Sequence, residues 1–433
     1  MADGLVIAAP ATGSGKTVVT TALAAAARAQ GKKVATAKVG PDYIDPRFHA
    51  VASGKPCFNL DPWAMRPAFV SRLFEDLGAH ADLVVVEGVM GLFDGPVGAR
   101  GSTADVAAAL GLPVVLVIDA GAQGQSVAAL ARGFSDFRHD VEVEGVILNR
   151  VTSPRHADML SFALREANVA VFGAMPREAS LVLPSRHLGL VQAEEHSDLE
   201  AFIKGAAEIL ARSVDLKRLL AITRKPKSAH GSTKPLPPLG QRIAVASDQA
   251  FAFAYPHFLA GWRAAGAELL PFSPLVDEAP DATADAVFLP GGYPELHGGA
   301  LAAATRFKAG LAASAERGAL LYGECGGFMV LGEGLVDASG ARHAMAGLLP
   351  LETTFAERRL NLGYRRMTHA GALPLPATLR GHEFHYSGVA RSGEAQPLFE
   401  QVQDARGDAL GPQGLRRGRV MGSYLHVIDA EAA

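Results

Sequence analysis

The sequence is poor in cysteine and lacks long apolar runs, and each absence excludes a class of protein. Only Cys57 and Cys325 occur among 433 residues, so a disulfide framework is not expected and a cytoplasmic location fits. No apolar stretch reaches the roughly 18 uninterrupted residues that a membrane-spanning helix requires. The first residues also lack the basic and apolar regions of a signal peptide. The sequence therefore predicts a soluble protein that is not exported.

An excess of charge of one sign is missing too. The formal net charge is -3, and the lysines and arginines are scattered along the chain rather than clustered. Proteins that bind nucleic acid or anionic membranes usually carry a concentrated basic surface. We therefore expect small-molecule partners, with neither nucleic acid nor membrane among them.

Length and hydrophobic patterning predict an α/β protein with two domains. Short apolar runs alternate with alanine-rich helical stretches, which is typical of a parallel sheet covered by helices on both faces. The segment 222–240 is proline-rich and basic, so it is predicted as a linker between domains at 1–221 and 241–433. The predicted strands are 5–9, 34–39, 83–87, 114–119 and 145–149 in the first half, and 242–247, 267–271, 286–289, 319–322 and 420–425 in the second.

A glycine-rich segment after the first predicted strand has the order of a phosphate-binding loop. It runs Gly13-Ser14-Gly15-Lys16-Thr17 and is followed by a predicted helix at 18–30. In such loops backbone N–H groups and the helix N-terminus surround the phosphates, the lysine contacts the terminal phosphates, and the threonine can hold Mg²⁺. Pro10 stands where the usual motif has glycine, which removes one N–H donor from the start of the loop. The segment predicts a nucleotide site.

Acidic residues follow two further predicted strands. Asp42 and Asp45 come after 34–39, while Glu87 and Asp94 come at and after the end of 83–87. Because ligands gather at the carboxyl ends of parallel strands, we expect these acids to lie near the phosphates. Glu87 is placed like the second acid that holds Mg²⁺ in P-loop enzymes. For each aspartate taken alone, turn formation is an equally good explanation.

Two other strand ends carry candidate nucleotide contacts. Lys38 lies at the end of 34–39 and is predicted to neutralise phosphate charge. Asn149 ends the strand 145–149 and is predicted to contact the adenine edge, with a simple strand-ending role as the equal alternative.

The second half contains a candidate nucleophile. The apolar run 320–322 leads into Gly323-Glu324-Cys325-Gly326-Gly327, and a strand-to-helix elbow needs such small residues around its nucleophile. A helix N-terminus favours the thiolate form of the cysteine. Gly291 and Gly292, after the strand 286–289, are predicted to form an oxyanion hole with Gly326. For Cys57 a buried apolar role is favoured.

A catalytic thiol also needs a base. His426 closes the strand-like segment 420–425 and is predicted to be that base. His382 and His385 form a rival cluster, for which a loop that lines the site or contacts substrate is favoured over a metal-binding pair.

These motifs are similar to those of the cobyrinic acid or hydrogenobyrinic acid a,c-diamide synthase family of cobalamin biosynthesis, over nearly the whole chain. Beyond the phosphate loop they are KVGPDYID (38–45), EGVMGLFDG (87–95), PGGYPE (290–295), ECGG (324–327), GHEFHYS (381–387) and SYLH (423–426). The resemblance implies a dethiobiotin-synthetase-like N-terminal domain and a class I glutamine amidotransferase C-terminal domain.

The resemblance also implies partners and residue roles. ATP and Mg²⁺ are the implied cofactors, glutamine the amide donor, and a corrin-ring carboxylic acid the substrate, whose a- and c-acetate groups are phosphorylated and then amidated. Overall resemblance favours the metal-free corrin, and a homodimer is left open. Thr17, Asp45 and Glu87 would hold Mg²⁺, while Asp42, Tyr43 and Asp94 would contact the substrate or the transferred phosphoryl group.

Two positions depart from the usual amidotransferase pattern. Glutamate usually stands two residues after the catalytic histidine, but Ile428 is found here, which predicts a Cys–His dyad without a third acid. Glutamine often stands four residues after the cysteine, but Met329 is found here, so glutamine recognition must rest on other groups. The alternatives are a cobyric acid synthase-like amidase of other corrin side chains, or a P-loop regulatory ATPase with a vestigial second domain.

Overall fold

The computed structural model describes residues 2–183, 185–186, 189–190, 192–196 and 198–431. The chain divides into two compact units. The first contains the residues up to Trp63 together with Pro67–Pro96 and Arg100–Thr233, and the second contains Ala64–Arg66, Val97–Ala99 and the residues from Lys234 onward. The division after Thr233 falls within the segment 222–240. Within the described ranges, no helix combines the length and apolar character needed to cross a bilayer.

The first unit is built on a seven-stranded sheet whose neighbouring strands are all parallel, in the order β3-β2-β4-β1-β5-β6-β7. A two-stranded antiparallel pair, β8 and β9, lies apart from it. The strands are β1 Asp3–Ala8, β2 Val34–Val39, β3 Phe58–Leu60, β4 Leu83–Glu87, β5 Val114–Asp119, β6 Val143–Val151, β7 Val171–Pro176, β8 Ser185–Arg186 and β9 Gly189–Leu190. The helices are α1 Lys16–Ala29, α2 Asp45–Ser53, α3 Pro67–Gly78, α4 Thr103–Leu110, α5 Val127–Asp136, α6 Pro154–Glu166, α7 Leu199–Ser213 and α8 Leu216–Ala221.

Burial explains why the strands of this sheet were predictable. Every residue of β2 and β4 is buried, because a parallel sheet is covered on both faces and its strands are continuous apolar runs. Both strands have the predicted bounds, whereas β6 extends two residues further at each end than predicted. Strand β1 lies between β4 and β5. The loop after β1 therefore shares an edge of the sheet with the ends of β2 and β4.

The second unit combines a mainly parallel sheet with two smaller sheets. The six-stranded sheet has the order β11-β10-β12-β13-β22-β21, and only β21 is antiparallel to its neighbour. The four-stranded sheets have the orders β15-β14-β16-β19 and β20-β17-β18-β23. The strands are β10 Arg242–Ala246, β11 Glu268–Phe272, β12 Ala286–Leu289, β13 Leu320–Glu324, β14 Gly334–Val336, β15 Arg342–Ala344, β16 Leu351–Thr354, β17 Asn361–Thr368, β18 Thr378–His385, β19 Gly388–Ser392, β20 Gln401–Gln403, β21 Leu415–Arg417, β22 Val420–Ser423 and β23 Leu425–Ala430. The helices are α9 Pro256–Ala264, α10 Gly298–Ala303, α11 Thr305–Glu316 and α12 Gly326–Leu331.

The predicted two-domain α/β class is confirmed, but two local predictions in the second unit are wrong. The segment 420–425 is not one strand, because β22 ends at Ser423 and β23 begins at Leu425 in a different sheet. The Ser423 hydroxyl accepts a hydrogen bond from the Leu425 amide at 3.1 Å, which stabilises the break. His382 and His385 lie in strand β18 rather than in a loop, since β18 pairs along its length with β17.

Candidate active sites

The phosphate loop joins β1 to α1 in the first unit. Gly13 and Gly15 adopt positive φ angles of 82° and 94°, a region that residues with a Cβ atom rarely occupy. A Cβ atom on Gly15 would also lie only 2.2 Å from the side-chain nitrogen of Asn149. Position 15 therefore requires glycine for two reasons: its φ angle is positive, and a side chain there would collide with Asn149 in β6.

The loop lysine is buried and contacts the segment that follows β4. The Lys16 ammonium donates a hydrogen bond to the Met90 carbonyl at 2.6 Å. Burial lowers the pKa of Lys16 to about 8, against the opposing attraction of Glu87. Anionic phosphates would reverse this effect, because a nearby negative charge favours the ammonium form.

Thr17, Asp45 and Glu87, the predicted metal ligands, lie together. The Thr17 hydroxyl is 3.2 Å from Asp45 Oδ2 and 2.9 Å from Glu87 Oε1. Lys38 Nζ donates to the same two carboxylates at 2.6 and 2.8 Å, and it lies 3.6 Å from Asp42 Oδ2. Three acids and one lysine thus surround the start of α1.

Burial and charge set the protonation of this cluster. Burial and the neighbouring Asp42 carboxylate raise the pKa of Asp45 to about 7. Burial also opposes ionisation of Glu87, but Lys38 and the His49 imidazole hold the Glu87 pKa below its usual range. For Lys38, burial opposes the charge, yet Asp45 and Glu87 raise its pKa well above normal. The result is a buried ammonium–carboxylate pair beside the phosphate loop.

His49 is a site residue that the sequence analysis missed. Its Nε2 atom makes a short hydrogen bond with Glu87 Oε2, and its Nδ1 atom lies 3.1 Å from the Thr21 hydroxyl. His49 stands four residues after Asp45 in α2, and residues at that spacing share a helix face. That spacing was the signal available in the sequence.

Two predicted aspartates form turns. Asp42 Oδ1 accepts hydrogen bonds from the amides of Ile44 and Asp45 at 2.8 and 3.1 Å, although its other oxygen faces Lys38. Asp94 Oδ2 accepts from the Gly91 amide at 2.7 Å. Turn formation, which was the open alternative, therefore operates at both positions.

The loop opens onto a cleft of about 1140 Å³ within the first unit. Asn149 lines it and donates a hydrogen bond to the Ser14 carbonyl at 2.9 Å. Tyr43 is half-buried, and neither Tyr43 nor Asp94 belongs to the described residues that line the cleft. Besides the phosphate loop, the lining includes Lys38, Asp42, Asp45, Glu87, Asp119, Gln123, Arg150, Arg177 and Glu178.

The donors in this cleft suit Mg²⁺. The Thr17 hydroxyl and the carboxylates of Asp45 and Glu87 are hard oxygen ligands, which Mg²⁺ prefers. Over the described ranges, no group of three or more His, Cys, Asp or Glu side chains is arranged to hold a metal ion alone. A cation bound here would take its remaining ligands from phosphate oxygens and water, as Mg²⁺ does in nucleotide sites.

Cys325 sits at a strained elbow between β13 and α12 in the second unit. Its φ and ψ angles are 47° and -104°, and a positive φ at a residue other than glycine marks stored backbone strain. The Cys325 amide donates a hydrogen bond to the Ser423 carbonyl at 2.8 Å, which stabilises the elbow. A Cβ atom on Gly323 would lie 2.7 Å from the backbone of Gly327. The elbow therefore depends on its glycines.

Burial and nearby carboxylates oppose ionisation of the Cys325 thiol. Burial, and then the Glu295 carboxylate, raise the pKa of Cys325 well above its usual range, while the Gly326 amide lowers it. Glu324 and Glu383 oppose the thiolate as well. Burial and these three carboxylates favour the thiol form of Cys325 over the thiolate. Cys57, for which a buried apolar role was predicted, is buried. Burial raises the pKa of its thiol above the usual range.

The three predicted oxyanion glycines converge on Cys325. A Cβ atom on Gly291 would lie 2.6 Å from His426 Cε1 and 3.3 Å from Cys325 Cβ. A Cβ atom on Gly326 would lie 3.0 Å from the Gly292 nitrogen. The Gly326 amide interacts with the Cys325 sulfur, and the absence of a side chain on Gly326 lets the Gly292 nitrogen approach it closely.

His426 lies in β23, next to a carboxylate that the sequence analysis overlooked. Ile428 indeed supplies no acid, but His426 Nδ1 lies 3.6 Å from Glu324 Oε2, and both side chains are buried. Glu324 Oε1 accepts hydrogen bonds from the Tyr322 hydroxyl at 2.9 Å and the Val427 amide at 3.1 Å. At 3.6 Å the two groups are within ion-pair distance but beyond a hydrogen bond, so the predicted Cys–His dyad has a carboxylate beside its base, supplied by the residue before the nucleophile.

The rival histidines have separate surroundings. The His382 ring stacks on the His426 ring, with centroids 4.7 Å apart and an interplanar angle of 5°. Burial and then His426 lower the pKa of His382 well below its usual range. His385 instead stacks on Tyr424 at 3.8 Å and bonds Glu383 Oε1 at 2.9 Å. His382 therefore supports the predicted base as a neutral ring, and His385 belongs to a different contact network.

Comparisons with known proteins match a family to each unit. Residues 5–191 match the CobQ/CobB/MinD/ParA nucleotide binding domain family, and residues 242–433 match the CobB/CobQ-like glutamine amidotransferase domain family. The hydrogenobyrinate a,c-diamide synthase of Brucella suis biovar 1 (strain 1330) is 55% identical over 429 residues, which cover 98% of each chain. The protein of the same name from a Sinorhizobium species is 54% identical over 433 residues, or 100% of each chain.

Among solved structures, a crystal structure of glutamine amidotransferase covers 42% of this chain and 89% of its own at 20% identity, with a TM-score of 0.30. A TM-score of that size adds nothing to the conclusion. The identity to the curated relatives extends over both units and includes nearly the whole chain. The chain therefore belongs to the hydrogenobyrinate a,c-diamide synthase family and is an ATP-dependent glutamine amidotransferase of the ligase class.

Proposed function

We propose that the protein amidates the a- and c-acetate carboxylates of hydrogenobyrinate, with ATP as the activator and glutamine as the source of nitrogen. One observation carries the proposal: relatives named for this reaction are 51 to 55% identical over at least 98% of both chains. The arrangement of Lys16, Thr17 and Glu87 in one unit and of Cys325 and His426 in the other provides chemistry for both half-reactions.

The glutaminase half-reaction begins at Cys325. The sulfur attacks the carboxamide carbon of glutamine while His426 accepts the thiol proton, and the amide nitrogen leaves as ammonia after His426 returns that proton. The amides of Gly292 and Gly326 stabilise the negative charge that forms on the carbonyl oxygen. Water then hydrolyses the thioester, which releases glutamate and restores the thiol.

The synthetase half-reaction takes place beside the phosphate loop. A carboxylate oxygen of the corrin substrate attacks the γ-phosphorus of ATP, the bond to the bridging oxygen of ADP breaks, and an acyl phosphate forms. Ammonia attacks the acyl carbon, inorganic phosphate leaves, and the amide nitrogen loses a proton. Lys16 and Lys38 offset the charge on the transferred group, so that chemistry depends mainly on positioning and electrostatics.

Mg²⁺ would be held by Thr17, Asp45 and Glu87, where it would neutralise phosphate charge. Lys38 bonds both carboxylates, so its charge favours their ionised forms and its hydrogen bonds hold them in place. Asp42 and Asp94 hold the two loops that border the transferred phosphoryl group, through their contacts with backbone amides. Tyr43 belongs to the first of these loops and would contact the substrate.

The proposal is tested with purified protein, ATP, Mg²⁺, glutamine and either hydrogenobyrinate or cobyrinate, with products followed by mass spectrometry. The expected product is the diamide of hydrogenobyrinate, with two ADP and two glutamate formed for each corrin. Activity only with the cobalt-containing acid would overturn the choice of substrate. ADP formation that ignores both glutamine and corrin would overturn the ligase mechanism.

A Cys325→Ala variant separates the two half-reactions. It should lose glutamine-dependent amidation but retain amidation with ammonium chloride, because the synthetase step needs only free ammonia. The matched control is Cys57→Ala, which removes the other buried thiol and should leave glutamine use intact. If Cys325→Ala is inactive with ammonia as well, the assignment of glutaminase chemistry to this thiol is wrong.

A further inference from the structure

Glutamine must be recognised by more than its carboxamide, since other carboxamides would otherwise compete for the nucleophile. The position four residues after Cys325 is Met329, which is buried and apolar, so it cannot pair with the charged groups of an amino acid. An α-amino acid carries an ammonium group beside a carboxylate. A receptor for the ammonium group must be an anion that lies near the sulfur and is shielded from water.

Glu295 meets these requirements. It lies in the turn Pro294–Leu296 that directly follows the oxyanion glycines. That turn packs against the elbow, because a Cβ atom on Gly326 would lie 2.9 Å from Pro294 Cδ. Glu295 is also the charged residue with the largest effect on the Cys325 thiol. Its carboxylate therefore lies within electrostatic reach of the reacting sulfur.

The carboxylate of Glu295 is largely withdrawn from water without an ion-pair partner. Burial raises the pKa of Glu295 to about 7, and the opposing attraction of Arg358 does not compensate. Across the described part of the chain, no cation lies within 4 Å of this carboxylate, and its hydrogen bond is to its own backbone amide. Keeping such a group in a protein interior is unfavourable unless a ligand supplies the missing positive charge.

We propose that Glu295 binds the α-ammonium group of glutamine. The assignment rests on the proposed glutaminase role of Cys325 and adds the residue that makes this pocket select an amino acid. It also links substrate binding to activation of the nucleophile. Three carboxylates, those of Glu295, Glu324 and Glu383, disfavour the Cys325 thiolate.

The ammonium group of bound glutamine would cancel the Glu295 charge and so remove the largest of these three electrostatic effects on the thiol. Other groups near the sulfur are the Phe384 carbonyl, to which the thiol donates at 4.0 Å, and Tyr424, whose pKa is itself raised by burial. The Gly326 amide favours the thiolate. Binding of the correct substrate would thus favour the reactive form of Cys325. A free carboxamide without an ammonium group would not.

The first test compares glutamine with 4-carbamoylbutanoate, which is glutamine without its amino group. In the wild-type protein, removal of the amino group should lower kcat/KM for ammonia release by about 100-fold, as expected for loss of a buried charge-assisted contact. In Glu295→Gln, kcat/KM for glutamine should fall by a similar factor, while the preference for glutamine over the analogue should shrink to less than about fivefold. A variant that keeps the wild-type preference would refute the assignment.

Two controls separate this role from a structural one. Glu357→Gln makes the same charge change at an exposed residue and should leave the preference for glutamine unchanged. Arg358→Met tests whether Glu295 serves only to pair with Arg358: if it reproduces the lost preference, the assignment fails. If the wild-type protein releases no ammonia from glutamine, the proposed function itself fails, which is a different outcome from an unchanged preference in Glu295→Gln.

The second test measures alkylation of Cys325 by iodoacetamide in the absence of glutamine, with modification located by peptide mass spectrometry. Since only the thiolate reacts, removal of the Glu295 charge should accelerate alkylation at pH 8 by at least about threefold. An unchanged or slower rate in Glu295→Gln would show that this carboxylate does not act on the thiol. The same measurement on Glu357→Gln should match the wild type.

Discussion

Glu324 provides the most direct test of how His426 works. We expect Glu324→Gln to lower kcat for glutamine hydrolysis while KM for glutamine changes little, because Glu324 contacts the base rather than the substrate. The substitution preserves an oxygen that can accept the hydrogen bonds from the Tyr322 hydroxyl and the Val427 amide. Folding should therefore be retained, and the loss should come from the missing negative charge beside His426.

The distance between His426 and Glu324 determines how much kcat should fall in Glu324→Gln. Two unit charges 3.6 Å apart interact by about 5 kcal/mol at an effective dielectric constant of about 20. If about half of the positive charge has developed on His426 in the transition state, the loss is about 2 kcal/mol, or about 30-fold in kcat. Glu324→Ala should lose more, since it also leaves two buried donors unsatisfied, at about 1–3 kcal/mol for each.

The assay is glutamate release under saturating glutamine, with ammonia-dependent amidation measured in parallel as a control for the other half-reaction. Tyr322→Phe is the matched control, because it removes one hydrogen bond to Glu324 but leaves the carboxylate in place, and it should cost less than about fivefold. The reasoning is refuted if Glu324→Gln keeps kcat within threefold of the wild type. It is equally refuted if ammonia-dependent amidation falls together with glutamine hydrolysis.

Three further substitutions test other contacts. Gly291→Ala should abolish glutamine hydrolysis but not ammonia-dependent amidation, because its methyl group would lie 2.6 Å from His426 Cε1; glutamate release measures this. Arg66→Met should destabilise the second unit by about 3 kcal/mol in chemical denaturation, because it leaves the fully buried Asp429 carboxylate without its partner at 2.9 Å. Glu295→Gln should be more stable than the wild type at pH 8 but not at pH 4.5. Because the pKa of Glu295 is raised to about 7 in the native state, the native wild-type protein binds a proton that the unfolded chain has already lost. The stability of the wild type therefore falls by up to about 3 kcal/mol as pH rises between about 4.5 and 7. Equal unfolding free energies of the two proteins at pH 8 would contradict the last expectation.

The site in the first unit was largely predictable from sequence because most of its residues lie at or directly after the ends of predicted strands. Strands β2 and β4 are buried on both faces, so their apolar runs have clear ends, and the polar residues that follow each strand belong to the site. His49 was missed because it lies inside a helix rather than at a strand end. Its importance depends on its contact with Glu87, which is 38 residues away.

The second unit was harder to predict for physical reasons that concern a few residues. Every residue of β22 and of β23 is buried, so no exposed polar loop in the sequence marks the point at Tyr424 where the chain changes sheets. Glu324 was overlooked because the usual acid follows the histidine in sequence, whereas this one precedes the cysteine. The raised pKa of Cys325 depends on burial and on carboxylates from separate segments, which no local motif reports.

The break between β22 and β23 has a mechanical consequence. Cys325 follows a strand of the parallel sheet, whereas His426 lies on the antiparallel sheet that contains β18. Tyr424 is the covalent connection between β22 and β23, and the hydrogen bond from the Val427 amide to Glu324 is a second link between the two sheets. Nucleophile and base are therefore carried by two different sheets. A small rotation of one sheet against the other would lengthen the path for proton transfer from Cys325 to His426 without unfolding either sheet. The rate of ammonia release would therefore depend on how the two sheets are aligned.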